Sequence, residues 1–589
     1  MSIEESLRQT TQKGLSELFG VEQEISLQKT RREFEGDYTI NVFPFLKYSA
    51  KSPEITASLL GDYIVDKNKD IDRYNVVKGF LNVVVNTQSW LDALKEKLQH
   101  DELIQLTESP ETILVEYSSP NTNKPLHLGH LRNIFLGDSV ANMLSALGHR
   151  VIRTQIINDR GIHICKSMVA WSKYGHGKTP ESTGKKGDHF VGDFYVKFDQ
   201  EWKKQTRELE EIEGDLAAEE APLMKEAREA LIKWEQGDQS VKRLWSQMNS
   251  WVYSGFDQTY NLLGVHFDKL YYESDTYQTG RDLVLKGVEN GAFERDPDNS
   301  VWADLTKDGL DRKILLRSDG TAVYMTQDVG TAFQRYQDFP KLKRVIYTVG
   351  NEQDYHFKVL FRLLDLLGFS WASSCYHLSY GMVELPDGKM KSREGTVVDA
   401  DELVAEVIEK ASIESDTRGY NFEITQDEKE DLHRMIGLGA LKYFILKVDS
   451  RKKMLFDPAA SVDLHGNTAP FIQYTHARIQ SIIRRAEAEG IDYTDDLGSN
   501  LEPAEQDLLV HIMDYSNVFR DAAESYSPSN LANYIYDLVK LYNTFYQSLP
   551  IFQAKNKIES RRRVAISTLT GKIVKHGMGT LGIEVPDKM

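Results

Sequence analysis

His127 and His130 flank Leu128-Gly129 at the end of the stretch Ser118-Ser119-Pro120-Asn121-Thr122-Asn123-Lys124-Pro125-Leu126-His127-Leu128-Gly129-His130. Two imidazoles at that spacing suit a polyphosphate, and the side-chain-free Gly129 lets a flat base approach the backbone. The elements that must position them are legible on either side. Residues 112–117 are β-branched and apolar enough to form a buried strand. Leu131, Ile134, Phe135, Val140, Met143, Leu144 and Leu147 recur at helical spacing, and residues 151–157 read as a second strand. Ligands of such a βαβ unit collect where strands end and helices begin, because free N–H groups and the helix dipole favour phosphate there. The stretch is therefore read as a nucleotide site.

A second cationic segment, Gly388-Lys389-Met390-Lys391-Ser392-Arg393-Glu394-Gly395, follows the apolar run at 380–385 and a Pro386-Asp387-Gly388 turn. A basic loop can neutralise charge on a departing pyrophosphate. The first stretch resembles the HIGH signature of class I aminoacyl-tRNA synthetases, with flanks closest to the arginyl type. The second resembles their KMSKS loop. The resemblance implies that His127, Gly129, His130, Met382, Val383, Lys389 and Ser392 bind ATP. It implies catalytic roles for His127, His130, Lys124, Lys389 and Lys391. The loop departs from the family pattern: counted from Lys389, the fourth position is Ser392 rather than lysine, and a lysine stands third, at Lys391. Many arginyl enzymes share that loss and carry a lysine just before the first signature. Lys124 occupies that place and is assigned the missing phosphate contact, with Lys391 as a helper.

The same resemblance supplies an arginine site. A guanidinium is planar and permanently cationic, and it is best held by carboxylates beside an aromatic ring. Glu116 leaves the first strand just before the signature. Tyr324 and Asp328 are four residues apart, so they share a side if that segment is helical. By resemblance Glu116, Tyr324 and Asp328 read the guanidinium, Asn121 and His127 hold the amino-acid end, and Gln353 closes the pocket. Such a pocket needs no hydrolytic editing site, because a guanidinium is far easier to distinguish than one methylene, worth about 1–3 kcal/mol.

Chain-wide properties fit a large multidomain protein. At 589 residues, a prior of about 150 residues per domain gives three or four domains. Hydrophobic residues make up 41% and charged residues 27%, ordinary for a globular chain. Only two cysteines occur, Cys165 and Cys375, so neither a disulfide framework nor a Cys-rich zinc site is expected, and no metal site is assigned. The acidic start lacks the apolar core of a signal peptide, and no apolar run approaches the roughly 20 residues needed to span a bilayer. A cytoplasmic monomer without membrane attachment is expected. The net charge of −18 argues against nucleic acid unless a basic face is kept locally. Arg484-Arg485 and the segment from Lys555 through Arg561-Arg562-Arg563 to Lys575 are candidates. Solvated helix faces and RNA-docking faces are both consistent with these clusters.

The expected architecture is multidomain, α/β plus all-α. It has a Rossmann-like class I synthetase core, an α+β N-terminal domain and a C-terminal helical anticodon-binding bundle. Residues 1–108 resemble the family's additional tRNA-binding domain and begin with an amphipathic helix (Leu7, Leu15, Leu18, Phe19). Asn41 is its matched RNA contact, though a polar strand-edge residue would look the same. Residues 109–400 form the catalytic domain, with a helical insert at about 175–256. A helical connector covers 401–456, and 457–589 form the bundle, whose clearest helix places Leu531, Tyr534, Ile535, Leu538, Leu541, Tyr542 and Phe545 on one face. There the stretch from Phe471 to Ile479 resembles the opening helix of the anticodon-binding domain. Tyr474 could stack on RNA or serve as a bundle aromatic, and Ile479 is read as core.

The implied reaction has two steps. Arginine attacks the α-phosphorus of ATP, assisted by Mg²⁺, and the arginyl group then passes to the terminal adenosine of tRNA(Arg). The resemblance implies that tRNA must be bound for the first step. Three other readings stay open: another class I synthetase, a small-molecule nucleotidyltransferase using the same HxGH chemistry, and a tRNA-binding paralogue with a dead site.

Overall fold

A computed structural model describes residues 2–31, 33–100, 102–384, 386, 398–418 and 424–589. Its organising element is the strand Thr112–Glu116, in which Ile113, Leu114 and Val115 are all buried. Successive side chains of a strand point to opposite faces. Ile113 and Val115 accordingly join one hydrophobic core, and Leu114 joins a second core with Val301, Leu315, Val329 and Leu360. A strand covered on both faces needs an unbroken apolar run, which is what the sequence carries.

This strand is the middle of a five-stranded, wholly parallel sheet, in the order Cys375–Tyr380, Leu342–Gly350, Thr112–Glu116, Arg150–Ile157, Lys269–Tyr272. Chain order reverses between Thr112–Glu116 and Leu342–Gly350. The connections leaving their carboxyl ends diverge there and open a crevice. The helix Leu128–Ala146 starts three residues earlier than its apolar spacing indicates and lies directly on the sheet. At Gly137 a Cβ would stand 2.3 Å from the Tyr117 Cβ, so only glycine allows that approach.

Between the strands Arg150–Ile157 and Lys269–Tyr272, the chain makes an excursion through the helices Gly187–Glu213, Pro222–Glu235 and Gln239–Leu263. The N-terminal part is a four-stranded antiparallel sheet, ordered Leu27–Lys29, Tyr38–Asn41, Phe80–Val85, Ile71–Val77, with the helices Ile3–Phe19 and Pro53–Lys67. Leu7 and Leu15 of the first helix are buried as expected, but Leu18 is exposed. The C-terminal part is helical from Ala469 to Thr580 apart from its connections. Leu531, Tyr534, Ile535, Leu538, Tyr542 and Phe545 are buried on one helix, Pro528–Ser548.

These parts are stitched together by polar contacts. Lys29 pairs with Asp514 at 2.8 Å, and Gln506 donates to Asp37 at 3.2 Å, joining the N-terminal sheet to the bundle. The C-terminal tail returns to the catalytic part: Ser139 Oγ on the central helix donates to the Leu581 carbonyl at 3.3 Å, and Lys442 Nζ on the helix Gln426–Leu446 donates to that of Gly582 at 2.6 Å.

Candidate active site

The crevice is built around the first turn of Leu128–Ala146. His127 is extended (φ −140°, ψ 172°) and donates its backbone N–H to His130 Nδ1 at 3.1 Å, with the two rings 3.8 Å apart between centroids. Burial, reinforced by the nearby Lys124 ammonium, pushes His127 down to about 4. Burial drives His130 well below its ordinary value, and His127 and Lys124 add to the effect. Both rings are therefore neutral at pH 7. Because His130 Nδ1 accepts, its proton resides on Nε2, which becomes a hydrogen-bond donor available to a ligand. Lys124 is itself held below the ordinary lysine range by burial.

Three residues that spacing arguments passed over hold this turn in place. Ser118 follows the strand with φ 59°, the left-handed region that β-carbon-bearing residues avoid. Its N–H donates to Asn133 Oδ1 at 2.5 Å and its hydroxyl bonds the Tyr260 hydroxyl at 2.7 Å. Asn133 Nδ2 in turn donates to the Thr348 carbonyl at 2.6 Å, tying the helix to the neighbouring strand across the crevice. Arg132, buried one turn along the helix, donates to the carbonyls of Met382, Asp449, Ser450 and Lys452 at 2.9–3.3 Å. A buried polar residue on an otherwise apolar helix is the signal that could have exposed Asn133 and Arg132.

Met382 is exposed and Val383 buried on the short strand Val383–Glu384, which pairs in parallel with Met454–Leu455. Lys389, Lys391 and Ser392 lie outside the described residues.

Among the expected arginine contacts, Tyr324 is the first residue of the helix Tyr324–Asp338, is 72% exposed, and stands one turn before Asp328. Asp328 Oδ2 lies 2.6 Å from His356 Nε2. Asn121 follows the central strand and Gln353 follows its neighbour, and both are exposed at the carboxyl edge of the sheet. Glu116, the expected guanidinium reader on the central strand, lies at that strand's buried end. Its buried carboxylate is already paired with a guanidinium of this chain, that of Arg335, which also lies over the Tyr271 and Tyr347 rings. A carboxylate at a buried strand end must be neutralised, and Arg335 does so.

A carboxylate the spacing did not single out stands nearby. Glu273 opens the helix Glu273–Glu289 and is buried. Burial raises its carboxyl to about 7 against the pull of Arg160, and the charges of Asp159 and Asp328 contribute to the rise. Asp159, whose oxygens accept from Ser274 and Tyr253, and Asp328, bonded to His356, both add negative charge around Glu273.

A family model described as tRNA synthetases class I (R), catalytic domain, matches residues 93–457, and the DALR anticodon binding domain matches residues 472–589. The arginine–tRNA ligases of Bacteroides thetaiotaomicron and Porphyromonas gingivalis are 53% and 50% identical to this chain, covering 100% of it and 100% of each relative. The chain belongs to the arginyl class I tRNA synthetases. The Thermus thermophilus arginyl-tRNA synthetase shares the fold, with a TM-score of 0.80 over 100% of both chains at 24% identity.

In this arginyl-synthetase chain the two expected RNA contacts lie on exposed faces. Tyr474, on the helix Ala469–Ala488, is 43% exposed. The Arg478 guanidinium lies between it and Tyr546, 5.1 and 4.9 Å from the ring centroids. Asn41 accepts from the Phe43 N–H at 3.0 Å, beside the exposed ring pair Phe43–Phe80. Ile479 is fully buried. Within the basic cluster from Lys555 to Lys575, Lys555 and Lys575 are exposed while two of the three consecutive arginines face inward. Arg562 and Arg563 are buried and donate to Glu505 at 3.0 and 2.9 Å. Arg485 bonds Glu489 at 2.7 Å and covers the Phe552 ring, and Arg484 donates to the Asp587 carbonyl at 3.1 Å.

Proposed function

We propose that this chain is an arginine–tRNA ligase that activates L-arginine with ATP and transfers it to the 3′ end of tRNA(Arg). The observation that carries the reading is the neutral His127/His130 pair. It stands at the carboxyl edge of a parallel sheet, in a chain half identical over its whole length to arginine–tRNA ligases. In the first step arginine's carboxylate attacks the α-phosphorus and pyrophosphate leaves. No side chain forms a covalent intermediate. His130 Nε2–H and His127 donate hydrogen bonds to phosphate oxygens, Lys124 adds positive charge, and the helix N-terminus contributes its dipole. Neutral donors suit this task, because they stabilise charge that develops in the transition state without pinning the ground state. ATP arrives as its Mg²⁺ complex, the metal being part of the substrate.

Tyr324, Asp328 and Glu273 read the guanidinium, Asn121 and Gln353 flank the amino-acid end, and Glu116 supports the pocket floor through Arg335. Lys389, Lys391 and Ser392 complete the phosphate contacts. Tyr474 and Asn41 touch tRNA. The enzyme acts as a monomer in a reducing cytoplasm, in keeping with two free cysteines whose thiols burial pushes up to about 12. No described helix is long and apolar enough to cross a membrane.

The test is ATP–pyrophosphate exchange in the presence of tRNA. His130→Ala is expected to lose exchange while arginine still binds, and a normal exchange rate would sink the assignment.

A further inference from the structure

The signature turn is gripped from outside by a cluster of charged groups that the reaction itself does not use. Residues 398–400 run antiparallel to 126–128: the Leu128 N–H donates to the Val398 carbonyl at 3.2 Å, the Ala400 N–H donates to that of Leu126 at 3.0 Å, and His127 bridges Asp399. Asp399 Oδ1 accepts the N–H groups of Asp401 and Glu402 at 2.8 and 3.1 Å, capping the helix Ala400–Arg418. This short segment is in turn tied to the helical insert. Lys186 Nζ donates to Asp401 Oδ2 at 2.6 Å and to Thr259 Oγ1 at 2.5 Å, and lies 3.2 Å from Asp188 Oδ2. His189 Nε2 donates to Asp401 Oδ2 at 3.1 Å and lies 3.4 Å from Asp399 Oδ2. Thr259 Oγ1 donates to Asp401 Oδ1 at 2.9 Å.

The insert also touches the turn directly. A Cβ at Gly192 would stand 3.0 Å from Pro125 Cδ and 3.7 Å from Lys124 Cα, so the helix Gly187–Glu213 lies against the residue that faces the phosphates. Asp188, His189 and Asp401 are close enough to one another to hold a metal ion. Lys186 Nζ already bonds both carboxylates, so the cluster carries its own cation.

We propose that Lys186 and His189 are positioning residues for adenylate formation: through Asp401 and Asp399 they press residues 398–400 against 126–128 and fix His127 and His130. This rests on the reading that those histidines contact ATP. The grip has an electrostatic logic. The hydrogen bond to Asp401 raises the His189 imidazole above its ordinary value despite burial, with Asp399 and Asp188 assisting. Burial opposes the charge on Asp401, but His189 and Lys186 hold its carboxyl well below the usual range. The groups facing His189 are Lys186 and Asp188 from its own element and Asp399 and Asp401 from the segment opposite. Protonated His189 is therefore the form that grips, and the grip weakens as pH rises through its raised titration.

The experiment measures tRNA-dependent ATP–pyrophosphate exchange for Lys186→Met, Lys186→Arg, His189→Gln and His130→Ala, with the KM for ATP and for arginine and with tRNA affinity as a check on folding. Lys186→Met is expected to lower kcat/KM for ATP by about 10- to 100-fold with KM for arginine within about twofold, and Arg to restore most of it. His189→Gln is expected to abolish an alkaline decline in exchange that the parent shows. Parent-like constants in Lys186→Met, or equal losses toward ATP and arginine that Arg does not restore, would overturn the proposal. If His130→Ala exchanges normally, the phosphate reading itself falls. If His130→Ala fails while Lys186→Met is normal, only the positioning role falls.

Discussion

At the scale of the residue, chemistry was legible where it was local. His127, Gly129, His130 and Lys124 announce themselves by type and spacing, and the structure adds their protonation: burial makes both rings neutral. Glu273 was illegible, because nothing in its neighbours marks one carboxylate among 89 acidic residues as buried beside Asp159 and Asp328. The ion pair of Glu116 with Arg335 was illegible for a related reason, since the two residues are far apart in sequence. Glu273 gives the sharpest expectation at this scale. Its carboxyl titrates at about 7. A bound guanidinium favours the carboxylate, so arginine binding at pH 7 should release about half a proton, and affinity should fall as pH drops below that titration. Calorimetry in buffers of different ionisation enthalpy measures the proton directly. Glu273→Gln should remove both effects, and proton release unchanged in that variant would assign the titration elsewhere.

At the scale of the element, periodicity located the strands Thr112–Glu116 and Arg150–Ile157 and the helix between them to within a few residues. It could not show what fastens that helix, because hydrogen bonds to distant carbonyls leave no periodic trace. Arg132 reaches carbonyls on two separate segments, at Met382 and at 449–452. Its charge persists in burial, which lowers it only to about 10. Removing the guanidinium strands several buried acceptors and lets the two segments part. Arg132→Met should destabilise the catalytic domain by about 2–5 kcal/mol, read as a lower melting transition. Arg132→Lys should recover only a fraction, since an ammonium lacks the planar fork that reaches several acceptors together. A melting transition unmoved in both variants would show that the carbonyls find other partners.

At the scale of the whole molecule, the question is how a chain of net charge −18 holds a polyanion. A charge count cannot answer it, and neither can a run of basic residues. Arg562 and Arg563 belong to one of two runs of three consecutive basic residues, yet both are buried on Glu505, because an inward-facing helix surface can accept arginines when a carboxylate waits inside. The set Tyr474, Arg478 and Tyr546 is less conspicuous in sequence, where its members are scattered, but it offers two exposed rings around a half-buried guanidinium that also donates to Asn543 Oδ1. The three kinds of contact should separate by salt. Release of counterions makes affinity for tRNA fall steeply with ionic strength, in proportion to the phosphates neutralised. Arg478→Met should weaken tRNA binding and reduce the log–log salt slope by about 1, the signature of one lost phosphate contact. Tyr474→Ala should weaken binding by about 1–3 kcal/mol at every salt concentration with the slope unchanged, because stacking releases no ions. Arg563→Met should lower the melting transition of the bundle and leave the slope alone. Filter binding of tRNA(Arg) across a salt series checks all three. A slope change from Arg563→Met, or none from Arg478→Met, would move the RNA face back to the basic cluster, against the burial that now argues it away.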